Sequence, residues 1–334
     1  MLRYVKYILL TMGLFLFYWM IRDFGIGNIL LNLRKAGWWI IPAVGIWAAV
    51  YMLNSLSFYI ILGSERKSLG FLRTAVITIS GFAINYITPF ASVGGEPFRI
   101  FQLKKYIPTH IAVSKVVLYK MIQLFSHFIL WLITIPLILA LFSLSAEIRV
   151  TLIILFFLIL SFVYIFLKGH KNGLLDKLYL FLIKIRPGSA MTQKLRSRHD
   201  AVLKADENIR ELYNERKKAF WMAIAVEFSA RLLSSLEFYF IILSLSIPVT
   251  LLQTIYINSL SSLVLNIFFF VPLELGVRES GMLLVMQTIY AHTGIGVFIA
   301  IMNRIRELFW IFFGLALIPS RERKNFKPEI QMEP

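Results

Sequence analysis

The sequence predicts an all-α polytopic membrane protein with about six transmembrane helices and two re-entrant helical hairpins in an inverted repeat. Three observations predict it. Of 334 residues, 58% are hydrophobic and 16% are charged, against about 25% charged in a soluble domain. Segments 37–64, 74–95, 121–146, 150–167 and 238–273 contain no Asp, Glu, Lys or Arg. A helix needs about 20 apolar residues to cross the ~30 Å hydrocarbon layer. Two of the apolar stretches are broken at their centres by Pro and Gly, and the sequence around them recurs. A soluble globular protein is excluded.

Taken in order, Arg3 and Lys6 precede the apolar stretch 7–21, and Arg22-Asp23 follow without a small-residue cleavage site. This reads as a retained signal anchor spanning about 4–21. Further spans are expected at 38–62, 121–143, 150–167, 219–245 and 295–318. Stretch 71–105 runs apolar, then Asn-Tyr-Ile-Thr-Pro-Phe-Ala-Ser-Val-Gly-Gly-Glu-Pro, then basic. Stretch 251–290 is interrupted by Pro-Leu-Glu-Leu-Gly-Val-Arg-Glu. Pro and Gly break helices, and broken backbone at membrane depth survives only inside protein or around a wet cavity. Both stretches are therefore expected to be hairpins, with breaks at Pro89, Gly94 and Gly95 and at Pro272 and Gly276.

Charge sets the orientation. Lys and Arg number 35 against 18 Asp and Glu, a net charge of +17. Such a balance invites a nucleic-acid reading, but the basic residues lie between spans, where they fix topology and attract anionic lipid; no nucleic-acid partner is expected. Loop 168–218 carries 13 Lys/Arg and 6 Asp/Glu. If each hairpin enters and leaves on one face, this loop and both termini share the basic, cytoplasmic side of a cell (plasma or inner) membrane. Within the loop, 174–185 and 195–213 space their apolar residues helically, as interfacial helices would; a solvated loop obeying the orientation rule is the plainer alternative. There is no Cys, so disulfides and thiolate metal sites are excluded.

Residues 53–61 (Leu-Asn-Ser-Leu-Ser-Phe-Tyr-Ile-Ile) align with 233–241 (Leu-Ser-Ser-Leu-Glu-Phe-Tyr-Phe-Ile) with six identities in nine. Downstream, Asn85, Pro89, Gly94 and Glu96 meet Asn266, Pro272, Gly276 and Glu279, and Lys120 falls opposite Arg304 within a residue. The span before each hairpin would run in opposite directions in the two copies. That is the inverted repeat of many secondary transporters. One membrane domain, 1–334, thus comprises a first repeat at 38–143 (hairpin about 71–105), the basic loop at 168–218, and a second repeat at 219–319 (hairpin about 251–290).

The pattern Asn85-x3-Pro89-x4-Gly94-Gly95-Glu96-x2-Arg99, with Pro272-x3-Gly276-Val277-x-Glu279 and an arginine in the last span, resembles the lysylphosphatidylglycerol synthase transmembrane region, or flippase-like domain family. The resemblance covers about 38–319. It implies movement of polar lipids across the bilayer through two re-entrant hairpins. This chain departs from the family pattern at Pro272-Leu273-Glu274-Leu275-Gly276, where Pro-Gly-Gly-Leu-Gly is usual. It departs again at Tyr119-Lys120 and Gln123, where Glu-Arg…Asp is common. No soluble synthase domain accompanies it, so aminoacyl transfer is not implied.

Ionisable groups within spans are costly and mark function by default. Glu96 and Glu279 start returning half-helices, whose N-termini favour anions. They are read as caps and as members of a phosphate site. Arg99, Lys120, Arg278 and Arg304 are its candidate cations, since a guanidinium can grip phosphate with two parallel bonds; internal pairing, Arg99 with Glu96 and Arg278 with Glu279, is the plainer alternative. Asn85 and Asn266 complete the candidate substrate-binding set. Glu237, which replaces Ser57 of the first repeat, is the candidate for proton or ion coupling. Glu227 and Arg231, four apart, are expected to pair, and Arg306 and Glu307 to serve as bundle partners. His127 and His292 are lone, so no metal and no cofactor is expected.

No Gly-x-Ser-x-Gly, His-Glu-x-x-His or nucleotide loop occurs, so no enzyme is expected. The reading is a transporter of an anionic or phosphate-bearing polar lipid, its partner being membrane phospholipid or another polar lipid. A membrane-embedded lipid-modifying transferase and a non-transporting scaffold for a lipid synthase are the alternatives. A homo-oligomer or an associated lipid-synthesis enzyme is compatible with the sequence.

Overall fold

Every regular element among the described residues of the computed structural model is a helix. The description covers residues 26–88, 94–170, 207, 216–269, 271, 274, 276–290 and 294–318. The helices are α1 (Ile26–Ala36), α2 (Ile40–Leu62), α3 (Arg66–Leu69), α4 (Phe71–Ile87), α5 (Gly95–Leu103) and α6 (Thr109–Leu141). They continue with α7 (Ala146–His170), α8 (Lys217–Leu243), α9 (Leu251–Ile267), α10 (Val277–Tyr290) and α11 (Gly294–Ala316). The expected span at 4–21, most of loop 168–218, Pro89, Pro272, His292 and the basic C-terminal tail lie outside the described residues.

Among the described residues, four stretches meet the length and hydropathy of a membrane span: Arg34–Leu69, Thr109–Leu141, Ala146–Ile165 and Lys217–Leu243. They fall where spans are expected at 38–62, 121–143, 150–167 and 219–245. The stretch within α7 has a mean hydropathy of 2.6, yet only 11% of it is buried. A soluble protein does not leave such a face to water. Lipid covers it. The expected span at 295–318 is α11, whose 23 residues are also long enough, at about 1.5 Å per residue. It differs in carrying Arg304, Arg306 and Glu307.

Both expected breaks interrupt helix. Helices α4 and α9 are each 17 residues long and begin and end at the 180-residue offset of the sequence repeat. Each is followed by a break and a second limb, α5 or α10. Thr250 and Gln253 start α9 with a reciprocal capping box, which satisfies two backbone donors that would otherwise face lipid or interior.

The chain divides into two units, Met1–Met52 with Ala75–Arg99 and Leu232–Pro334, and Leu53–Thr74 with Ile100–Arg231. The first unit therefore draws on both sequence repeats. In it Tyr51, Ile79 and Trp310 form a buried core, packed by Val44, Trp47, Phe82 and Leu317. Trp310 donates its indole N–H to the Val44 carbonyl at 3.1 Å, and Ser80 donates to the Gly314 carbonyl at 2.8 Å. Gly314 lets α11 approach α4 this closely, because a Cβ there would stand 2.6 Å from Ala83. Helix α10 packs on both α9 and α11.

In the second unit α6 packs along α7. Phe58 stacks on Tyr119 at 4.6 Å between centroids, and Ser57 donates to the Ala223 carbonyl. The Glu227–Arg231 pair forms at 3.5 Å, and Arg231 also donates to Ser126.

Candidate functional site at the two helix breaks

The first break is closed by side chains from α4. Asn85 accepts the Gly95 N–H on its Oδ1 at 2.5 Å and donates from Nδ2 to Glu96 at 3.4 Å. One amide so caps α5 and holds the carboxylate beside it. Arg99 pairs with Glu96 at 3.5 Å, donates to the Thr78 carbonyl and lies 4.7 Å over the Phe82 ring. It is 1% exposed. Such burial of a guanidinium is tolerable only because a carboxylate, a carbonyl and a ring face surround it.

Glycine makes this closure possible. A Cβ on Gly95 would lie 2.1 Å from the Gly81 carbonyl oxygen, and one on Gly81 would lie 2.6 Å from Arg99. Gly95→Ala should therefore force the two limbs apart. The expected loss is about 1–3 kcal/mol, the usual range for overpacking, read as a fall in the midpoint of thermal unfolding in detergent. Gly276 is the contrast: φ is +75° and a Cβ would meet open space. Gly276→Ala should cost only the left-handed penalty of about 1–2 kcal/mol. A smaller loss for Gly95→Ala than for Gly276→Ala would contradict this account of the first break.

The second break is held differently. Glu279 accepts the Gly276 N–H at 2.9 Å, the reciprocal half of a capping box on its own helix. Asn266, the sequence counterpart of Asn85, is exposed on α9 and donates to the Ser262 carbonyl instead. Glu274 sits at φ +56°, a conformation that L-residues seldom adopt, and its carboxylate binds Arg278. Arg304 donates to the Glu274 carbonyl at 3.3 Å and pairs with Glu279 at 3.5 Å.

The second break continues into a chain of ion pairs. Glu307 binds Arg278 through one oxygen, which also lies 3.8 Å from Arg306, and meets Arg304 at 3.5 Å through the other. Arg306 pairs with Glu237 at 3.0 Å, lies 3.9 Å over the Trp47 ring and donates to the Tyr86 hydroxyl at 3.4 Å. Trp47 donates to the other Glu237 oxygen at 2.7 Å. Tyr86 follows Asn85 on α4, so the first hairpin touches this network through one hydroxyl.

The first unit thus brings together Glu96, Arg99 and Asn85 at one break, and Arg278, Glu279 and Arg304 at the other. Lys120 is exposed on α6 and Asn266 on α9. Lys120 belongs to the second unit. The expected bundle partners Arg306 and Glu307 are members of the network, and Glu274, Trp47 and Tyr86 join it unforeseen. Two signals pointed to them. Glu274 stands four residues before Arg278, and Arg304, Arg306 and Glu307 crowd an otherwise apolar span. Arg278 pairs with Glu274 and Glu307, and Glu279 with Arg304.

Among the described residues, the Nε groups of Arg278 and Arg304 are buried and have no acceptor. Both lie beside the first turn of α10, where backbone N–H groups also lack intrahelical partners. Two guanidiniums with donors to spare at a helix N-terminus can hold a tetrahedral oxyanion.

Comparison with curated proteins and with solved structures gives no match. A family model, the lysylphosphatidylglycerol synthase TM region, matches residues 5–315. This chain belongs to the lysylphosphatidylglycerol synthase TM region family.

Proposed function

We propose that the protein is a lipid transporter that moves an anionic or phosphate-bearing polar lipid between leaflets by alternating access. The observation that carries this reading is the second break, where Arg278 and Arg304 keep buried Nε donors without acceptors beside the start of α10. A phosphate there would replace Glu279 and Glu307 as the partner of Arg304. The exchange gives Arg304 a phosphate in place of two carboxylates, so it need not desolvate a new cation.

The two hairpins serve opposite access states in this reading, as an inverted repeat requires. The Glu96–Arg99 corner meets the headgroup from one leaflet and the Arg278–Glu279 corner from the other. Glu237 holds Arg306 through one of its oxygens, and Trp47 donates to the other. No reaction on the lipid is proposed, and with no nucleotide loop in the sequence the movement is downhill or driven by an ion gradient.

Native mass spectrometry of the protein extracted in mild detergent tests binding. A phosphate-bearing lipid should remain on the wild type and be lost from Arg304→Gln. Retention of the same adduct by that variant would place the lipid elsewhere.

The topology has its own test. In this reading the protein lies in the cell or inner membrane with both termini and loop 168–218 on the cytoplasmic side. Cysteine introduced at Asn172 and at Asn32 of the Cys-free chain should label from opposite sides. Labelling of both from outside would remove the re-entrant hairpins from the account.

A further inference from the structure

The network at the second break has one carboxylate too many. Among the described residues it joins four glutamates, Glu237, Glu274, Glu279 and Glu307, to three arginines, Arg278, Arg304 and Arg306. Pairing them singly matches Arg306 with Glu237, Arg278 with Glu274 and Arg304 with Glu279. Glu307 is left as the acid shared by all three arginines. An uncompensated charge in the membrane interior is expensive, and an incoming phosphodiester would add a second one.

We infer that the site takes up an anionic headgroup only together with a proton, and that Glu307 receives it. The inference rests on the lipid-transport reading and adds its coupling. When the headgroup draws Arg278 and Arg304 onto its oxygens, Glu307 loses two of its three cations and keeps Arg306 at 3.8 Å. Glu274 and Glu279 lose these arginines too, but the other acids have further support. Glu274 and Glu279 have side chains 28% and 16% exposed, so water screens them. Glu237 retains both Trp47 and Arg306. Glu307, 7% exposed at its side chain, has no such recourse.

All the titratable groups facing Glu307 favour this assignment. Arg304 and Arg306 come from its own helix, Arg278 from α10, Glu274 and Glu279 from the second break, and Glu237 from α8. Tyr51 and Tyr86 face it from α2 and α4. The competing bases are the carboxylates of Glu274 and Glu279, which water screens, and that of Glu237, which keeps Trp47 and Arg306. In the step, an O–H bond forms on a Glu307 oxygen with a proton from solvent. The hydrogen bonds from Arg278 and Arg304 pass to the phosphate. The protonated carboxyl is now a donor and can add a bond to the headgroup.

The test is calorimetric titration of purified protein, in uncharged detergent, with short-chain phosphatidylglycerol. Repeating it in buffers of different ionisation enthalpy counts the protons taken up. About one proton per lipid bound is expected. Affinity should fall about tenfold for each pH unit once the free site is fully deprotonated. Glu307→Gln, which mimics the protonated form, should bind with no proton uptake and little pH dependence. Wild-type binding without proton uptake overturns the inference while leaving the lipid-transport reading intact. So does a Glu307→Gln protein that binds and still takes up the proton. Absence of any wild-type binding overturns both. The wild-type proton count decides the matter even where the variant fails to fold.

Discussion

Arg306→Gln should destabilise the protein by about 3–5 kcal/mol, the cost of leaving one member of a buried ion pair behind. Glu237, at 1% exposure, would keep only the Trp47 indole as a donor. The amide of Gln is shorter than the guanidinium and cannot lie over Trp47 while reaching Glu237 and Tyr86 together. Glu237→Gln leaves Arg306 with Glu307 at 3.8 Å and should cost less. The double variant should be more stable than the sum of the single losses predicts, because neither charge is then stranded. Thermal unfolding in detergent across this double-mutant cycle gives the coupling, expected within about 0.5–3 kcal/mol for contacting groups. Strict additivity would mean that the pair is geometric coincidence.

Arg304→Gln should slow lipid translocation at least about tenfold while leaving the extracted protein folded. A hydrogen bond to a charged group is worth about 1.5–3 kcal/mol, and about 1.4 kcal/mol is already a factor of ten. Arg304→Lys should restore part of the rate, since the charge stays but the planar fork is lost. Arg99→Gln should also slow transport, but by a different route. Arg99 is enclosed by Glu96, the Thr78 carbonyl and Phe82, so its loss opens the first hairpin, and Arg99→Lys should rescue poorly. An unchanged rate in Arg304→Gln would reduce that arginine to a packing role.

Much of this architecture is legible in the sequence because membranes enforce simple rules. Runs without charge must be helices, and α2, α6, α7 and α8 lie on the expected spans, although α6 begins at Thr109 with Lys115 and Lys120 inside it and α8 carries Glu227, Arg231 and Glu237. The two breaks are legible because Pro and Gly at the centre of an apolar stretch admit few other readings. The partners across the breaks are not. Asn85 and Asn266 are 181 apart, one residue off the offset of 180 that relates α4 to α9. They therefore stand about 100° apart around their helices, and only Asn85 caps the following limb. Glu279 does that work at the second break from within its own turn, and this freed Asn266 to bond backward along α9. Which of two glutamates an arginine takes is likewise a matter of side-chain reach after folding. Spacing offered Glu279 beside Arg278. Folding brought Glu307 from a helix some thirty residues on, and Glu274 from a left-handed turn. Glu307 itself was hidden by its neighbours, since Arg-x-Arg-Glu on one helix reads as local pairing until the other helices are in place.

Translocation by the purified protein in liposomes is the most direct measurement of the central claim. A fluorescently labelled phosphate-bearing lipid, placed in one leaflet, should reach the other much faster with the wild type than with Arg304→Gln. Its mass should be unchanged on extraction. Equal rates for wild type, variant and empty liposomes would contradict the claim, and so would recovery of the lipid in a chemically altered form.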